Sequence, residues 1–154
     1  MFGDTGVEAR QGLPFNDGAL REKRMPVTFQ SDPERRRVVV TVPPGTRWAA
    51  FESATVGAIE AAPELTDWNW IIDDQGPIDD VGVEGMVRIG ETFRRLAREP
   101  ERPTWTVVVT TDRYFTNWAR VIDLNYGARK HQGAPSLAAA MLLMDRLEAG
   151  GGPG

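Results

Sequence analysis

The chain of 154 residues is long enough for one domain whose hydrophobic core needs neither disulfides nor a metal. Its net charge of −4 gives no general attraction for nucleic acid or for an anionic membrane. The absence of cysteine excludes thiol nucleophiles and cysteine-based zinc sites, and no apolar run approaches the roughly 20 residues of a membrane span. We therefore expect a cytoplasmic protein that neither binds nucleic acid nor spans a membrane.

The two ends of the chain differ in composition from its middle. Glycine, proline and short polar residues interrupt every apolar patch in residues 1–25, so this segment is expected to be a flexible tail. Residues 150–154 are glycine apart from one proline and are expected to be disordered. The folded domain is therefore expected over residues 26–149.

The first part of the domain has the pattern of a hairpin followed by a helix. Two β-branched runs begin at Val27 and Val38 and flank a turn-forming cluster, and three arginines at 35–37 lie at the mouth of that turn. Thr46 is expected to cap the helix that follows, and Pro63 is expected to end it.

Two apolar runs farther along predict strands, and the segment between them predicts a helix. The run WNWIID, which starts at Trp68, predicts a buried strand. Apolar residues at helical spacing predict a helix from about Asp80 to Arg98. The nearly continuous apolar run 105–111 predicts an interior strand that is covered on both faces.

The remaining elements complete an alternating pattern. Asp112 is expected to cap the next helix, residues 126–130 to form a short edge strand, and the last helix to start near Pro135. The resulting order, β-β-α-β-α-β-α-β-α, predicts an α/β fold with a mostly parallel sheet covered by helices. An exposed edge strand would also permit a homodimer.

The segment from Ile71 to Met86, IIDDQGPIDDVGVEGM, resembles a motif of the STAS domain, which is the domain of bacterial anti-sigma-factor antagonists. In that motif a strand and a short loop lead to Asp-Ser-Ser-Gly-Leu at the start of a helix. Matched residue by residue, the motif falls on Asp79, Asp80, Val81, Gly82 and Val83.

A second segment, TTDRYFTNWARVI from Thr110 to Ile122, is similar to the strand-end aspartate and tryptophan-bearing helix of SpoIIAA-like proteins. These proteins are STAS relatives with a SEC14-like topology. The resemblance covers residues 26–149 and implies an STAS/SpoIIAA-like fold.

The resemblance implies a non-catalytic regulatory module that binds another protein, such as an anti-sigma factor or a kinase-like protein. Phosphoregulated STAS domains carry a phosphorylated serine at this helix start, but the only serines here are Ser31, Ser53 and Ser136. The loop therefore lacks the serine switch. Asp80 is expected to act as a helix cap, and a constitutive mimic of the phosphorylated serine is the alternative. The expected docking surface comprises Gln75, Asp79, Asp80, Val81, Gly82 and Glu84.

An alternative function is a carrier or sensor of a hydrophobic small molecule or lipid. The SEC14-like resemblance implies an apolar pocket or groove between helices. The aromatic residues expected to line it lie on the helix after the apolar strand: Tyr114, Phe115 and Trp118.

A further alternative is a receiver-like phospho-acceptor. Asp73 or Asp74 would supply the acidic group, Thr110 or Thr111 the hydroxyl and Lys130 the lysine, as in response-regulator receivers that use magnesium. In a weaker metal hypothesis, a hard cation is bound by Asp73 and Asp74, with Asp79 and Glu84 as further ligands.

Conventional enzyme chemistry is not expected. The single histidine, His131, follows Arg129 and Lys130 and is expected to be a surface residue at a strand end rather than a general base. The chain contains no nucleophile elbow, no phosphate-binding loop and no dinucleotide fingerprint. No cofactor is therefore expected.

Overall fold

The structure, a computed structural model, describes residues 26–76 and 78–151. The expected tail at 1–25 and residues 152–154 of the expected tail at 150–154 lie outside the described residues, whereas Gly150 and Gly151 belong to the π-helical turn Leu147–Gly151. The described part contains five strands and four helices in the predicted order: β1 (Thr28–Asp32), β2 (Arg37–Val42), α1 (Trp48–Ala61), β3 (Asn69–Asp74), α2 (Val83–Leu96), β4 (Thr104–Val109), α3 (Phe115–Asp123), β5 (Arg129–Ala134) and α4 (Leu137–Arg146).

The strands form one sheet in the order β1-β2-β3-β4-β5. Strand β1 pairs antiparallel with β2, whereas β2, β3, β4 and β5 are parallel. The prediction of a mostly parallel α/β sheet is therefore confirmed. The last residues of β2 to β5 all lie along one side of the sheet, which we call the C-terminal edge. No helix within the described ranges has the length and apolar character needed to cross a membrane.

Side chains alternate between the two faces of the sheet, so each face has its own apolar cluster. Val38, Val40 and Trp70 pack with residues of α1 and α2 on one face. Ile71 and Val107 pack with residues of α4 on the opposite face. Helix α3 lies on the same face as α1 and α2, because its Phe115 lies against Gly133 on that side of β5.

Some element bounds differ from the predictions. Helix α2 starts at Val83 rather than at Asp80, and β5 covers residues 129–134 rather than 126–130. Tyr126 lies in the turn before β5, and its ring packs against Phe93. Gly127 in the same turn has a φ of 67°, which is not a strand conformation. The edge position of β5 is confirmed.

The start of α1 is held by a distant carboxylate instead of the expected Thr46. The Thr46 hydroxyl donates to the Pro43 carbonyl at 2.7 Å, so it stabilises the preceding turn. The backbone N–H of Trp48 donates to Asp80 Oδ1 at 2.9 Å. Asp80 therefore stabilises the start of α1 rather than the start of its own helix, α2.

Two other helix starts were also predicted. Asp112 Oδ1 accepts from the backbone N–H of Tyr114 at 2.9 Å, which closes the turn before α3. The Ser136 hydroxyl oxygen accepts from the backbone N–H of Ala139 at 3.1 Å and caps α4. Helix α4 thus starts two residues after Pro135.

Arg37, the first residue of β2, forms ion pairs with two carboxylates near the C-terminal end of the domain. The Arg37 side chain is only 3% exposed, and its Nη2 lies 2.9 Å from Asp145 Oδ1. Its Nε donates to Glu148 Oε2 at 3.2 Å, and Asn69 Nδ2 donates to the same oxygen at 3.0 Å. Arg37 is therefore part of an internal ion-pair network and does not present a free cation to a partner.

The exposure of the two carboxylates predicts unequal contributions to stability. Glu148→Ala is expected to lower the free energy of unfolding by about 2 to 3 kcal/mol, because the buried guanidinium loses its better shielded partner. Asp145→Ala is expected to cost less than about 1 kcal/mol, because its carboxylate is 52% exposed, compared with 23% for Glu148. Urea unfolding of both variants measures the difference, and equal losses would contradict the assignment.

Candidate functional site

A cavity of about 660 Å³ lies between the sheet and the helix layer formed by α1, α2 and α3. It reaches the C-terminal edge, where Asp74, Thr110 and Asp112 line it. Solvent reaches this cavity, because two of its lining residues, Val81 and Trp118, are exposed.

The floor of the cavity consists of rows of side chains that the strand register places side by side. Trp70, Thr106 and His131 are neighbours on β3, β4 and β5 and form an inner row. Ile72 and Val108 form the middle row together with Gly133, which has no side chain. At about 3.3 Å per residue, the inner row lies about 10 to 13 Å from the C-terminal edge.

The walls of the cavity are mostly apolar. Trp48 and Phe51 line it from α1, and Met86, Ile89 and Phe93 line it from α2.

Helix α3 supplies the remaining wall. Of the predicted aromatic residues, Phe115 and Trp118 line the cavity together with Ile122. Tyr114 is not among the lining residues: it is exposed, and the Arg113 guanidinium lies 5.2 Å from the centre of its ring. Two of the three predicted pocket residues therefore reach the cavity.

Asp74 places a carboxyl group in the outer part of the cavity. Its Oδ1 is buried and has no hydrogen-bond partner among the described residues. Burial raises the pKa of this carboxyl to about 6, the nearby charge of Asp73 adds to the increase, and the Gly76 backbone N–H opposes it. Asp73 itself follows the strand alternation and lies on the other face of the sheet.

The predicted docking loop is in part internal. The Asp80 carboxylate accepts from Trp48 and, at 3.2 Å, from Arg47 Nε, and these contacts lower its pKa below the usual value, the Trp48 bond having the largest effect. Gln75 and Val81 line the cavity, and Gly82 precedes the first residue of α2. Asp79 and Glu84 are exposed to solvent.

The structure does not bring together a complete set of residues for the receiver-like or the metal hypothesis, although Asp74, Thr110 and Thr111 all line the cavity. Lys130 alternates with the cavity-facing His131, so it lies on the opposite face of the sheet from Asp74. Within residues 26–76 and 78–151, no three His, Asp or Glu side chains come close enough to hold a metal ion. The carboxylates at 73, 74, 79 and 84 therefore do not form a metal site.

His131 is not the surface residue that the sequence predicted. Its side chain is only 7% exposed, and its Nδ1 lies 2.9 Å from Asp123 Oδ1, which also accepts from the His131 backbone N–H. Burial lowers the pKa of the imidazole and the Arg129 charge adds to this, whereas Asp123 opposes it. The prediction was wrong because the expected strand ended before this residue.

Three further polar residues near the cavity were missed. Thr55 of α1 lines the cavity, and its buried Oγ1 has no hydrogen-bond partner among the described residues. Thr106 Oγ1 accepts from Arg129 Nη1 at 2.9 Å. Arg129 is buried, and its other acceptors are backbone carbonyls, so burial lowers its pKa to about 10. The alternation of Thr104 and Thr106 with apolar residues in β4 is the sequence pattern that indicates polar positions on this face.

No family model, no curated protein and no solved structure matches this chain. The STAS/SpoIIAA-like resemblance therefore rests on the two sequence segments from which it was drawn.

The raised pKa of Asp74 predicts a pH-dependent stability. Because the pKa in the fold lies above the ordinary 3.8, the folded protein binds this proton more tightly than the unfolded chain. The ionised carboxylate therefore destabilises the fold, with an effect that is small below pH 4 and complete above about pH 6. Asp74→Asn is expected to raise the free energy of unfolding at pH 7.5 by about 1 to 2 kcal/mol, after allowance for partial solvent exposure.

The measurement is urea unfolding of Asp74→Asn and wild type at pH 7.5 and at pH 4, where the gain should largely disappear. Asp73→Asn is the matched control, and a smaller gain is expected from it because Asp73 lies on the other face. An equal gain at both pH values would show that Asp74 is not destabilised by ionisation.

Proposed function

We propose that this protein is a cytoplasmic carrier or sensor that binds an apolar small molecule in the cavity between the sheet and helices α1, α2 and α3. The cavity itself is the observation that supports this function. Its volume of about 660 Å³ falls within the range of about 300 to 1,000 Å³ that is typical of small-molecule sites. Its walls are mostly apolar, with Thr55 of α1 as an exception, and further polar side chains lie at its two ends.

The exposure of the wall residues supports the same proposal. Trp118 and Val81 line the cavity and are in contact with solvent. Apolar surface that stays in contact with water costs free energy, which a bound apolar molecule recovers by covering it. An occupied cavity is thus favoured over an empty one.

The resemblance to STAS/SpoIIAA-like proteins with a SEC14-like topology is compatible with this proposal. The order β-β-α-β-α-β-α-β-α supports such a topology, and the SEC14-like resemblance implies a hydrophobic ligand. Under this proposal the domain from residue 26 to residue 149 binds its ligand without converting it.

A second candidate function is the binding of a regulatory protein, such as an anti-sigma factor or a kinase-like protein, at the loop before α2. One observation favours it: Val81 and Val83 are exposed apolar side chains next to the exposed carboxylates of Asp79 and Glu84. Apolar side chains ringed by charges are typical of a small docking surface.

Narrowing the cavity should weaken ligand binding without unfolding the protein. The neutral fluorescent probe N-phenyl-1-naphthylamine is expected to bind wild type saturably with one site per chain. Val108→Trp places an indole in the middle row of the floor and is expected to weaken this binding about tenfold. The measurement is a fluorescence titration of both proteins.

Val121→Trp is the control for this titration, because Val121 is exposed on α3 and does not line the cavity. This variant should bind the probe like wild type. A wild type that shows no saturable binding would overturn the proposed ligand function.

The docking proposal is tested by reversing the exposed charges of the loop. The double variant Asp79→Lys, Glu84→Lys is expected to lose a protein that wild type retains in affinity capture from lysate of the source organism. Asp80 is left intact in this variant, because it holds the start of α1 and its loss would perturb the fold. Recovery of the same proteins by both baits would rule out docking at this loop.

The control for the capture experiment is Glu60→Lys together with Glu91→Lys, which also reverses two exposed carboxylates on the same helix layer but away from the loop. It should retain the captured protein. A loss with this control as well would indicate that net charge, rather than the loop, decides binding.

A further inference from the structure

The inner row of the cavity floor contains two adjacent polar side chains of complementary type. Thr106 and His131 are register partners on β4 and β5, and both line the cavity. Both side chains are more than nine-tenths buried. Any ligand group that reaches the floor must therefore satisfy these two side chains or leave them without partners.

The hydrogen bond to Asp123 fixes the role of His131. An ionised carboxylate only accepts, so the Asp123 oxygen that lies 2.9 Å from Nδ1 places the imidazole proton on Nδ1. Nε2 of the neutral ring then carries a lone pair. No described residue donates a hydrogen bond to this nitrogen, so it is available to accept one from a ligand.

The hydrogen bond from Arg129 fixes the role of Thr106. Thr106 Oγ1 accepts from Arg129 Nη1 at 2.9 Å, so its own hydroxyl hydrogen can point to the cavity. No described residue accepts that hydrogen. The floor thus offers one acceptor on His131 and one donor on Thr106, side by side.

We infer that the cavity selects an apolar ligand that carries a neutral hydroxyl group at its buried end. The hydroxyl oxygen accepts from Thr106, and the hydroxyl hydrogen is donated to His131 Nε2. This inference rests on the proposed function, because it names the class of ligand that the same cavity takes: long-chain or ring alcohols.

Charged end groups fit this floor less well. A carboxylate would be attracted by the buried Arg129 guanidinium, but it would lose its hydration and would place its lone pairs against the lone pair of His131 Nε2. An ammonium group would lie near the buried Arg129 guanidinium, whose acceptors in the structure are all neutral oxygens. A methyl ether would accept from Thr106 but could not donate to His131, so it measures the contribution of the histidine alone.

The test compares four probes with the same ten-carbon chain: decan-1-ol, decyl methyl ether, decanoate and decylamine. Each is titrated against bound N-phenyl-1-naphthylamine. Wild type is expected to bind decan-1-ol about five- to tenfold more tightly than the ether, which is the factor that one net hydrogen bond supplies. Decanoate and decylamine are expected to bind more weakly than the alcohol.

The variant His131→Asn retains an amide donor for Asp123 but lacks the second ring nitrogen. It is expected to bind the alcohol only as well as the ether. Val121→Trp changes an exposed residue that does not line the cavity and should keep the alcohol preference of wild type. The wild-type probe series needs no variant, so it decides the question even if His131→Asn does not fold.

A second measurement uses the fact that the sequence contains a single histidine. In untagged protein labelled with ¹⁵N-histidine, decan-1-ol should shift the Nε2 resonance of His131, and decyl methyl ether should not. If the naphthylamine probe and all four ligands fail to bind, the proposed function fails. If they bind without preference for the alcohol, or if the acid or amine is preferred, the proposed function stands and the hydroxyl inference is overturned.

Discussion

The alternation of side chains along β3, β4 and β5 is the constraint on which the rest of the structure depends. Because of this alternation, Ile71 and Val107 lie on the face that α4 covers. Trp70, Ile72 and Val108 lie on the opposite face. The first face is closed by buried side chains of α4 such as Ala140 and Met144. The second face is covered by three helices, and the space that they leave is the cavity.

The helix layer leaves this space because α3 is short and buries little of itself. It has nine residues, of which only Ala119 is buried. Its apolar side chains Trp118 and Ile122 line the cavity, and its Phe115 lies against Gly133, which contributes no side chain to the floor. The cavity is therefore a consequence of a short helix placed over a strand that carries glycine and polar residues.

The parts of the fold that could be predicted from sequence are those that local chemistry decides. Helices α1 and α2 and strands β2, β3 and β4 have clear apolar patterns, and their order was predicted correctly. Strand β5, with the sequence RKHQGA, has no such pattern, because its conformation comes from pairing with β4. The environment of His131 depends on that pairing and on Asp123 eight residues earlier, so no local pattern indicates it. The bond between Asp80 and Trp48 joins residues 32 positions apart and was missed for the same reason.

The loop before α2 connects the two proposed functions through shared residues. Val81 of this loop lines the cavity, and Asp80 next to it holds the start of α1, whose Trp48 and Phe51 also line the cavity. A molecule in the cavity would thus contact both the loop and the helix that the loop supports. A ligand shifts a conformational equilibrium only by the difference in its contacts with the two states. Under the two proposed functions, occupancy of the cavity and docking at the loop would therefore be coupled through Val81 and Asp80.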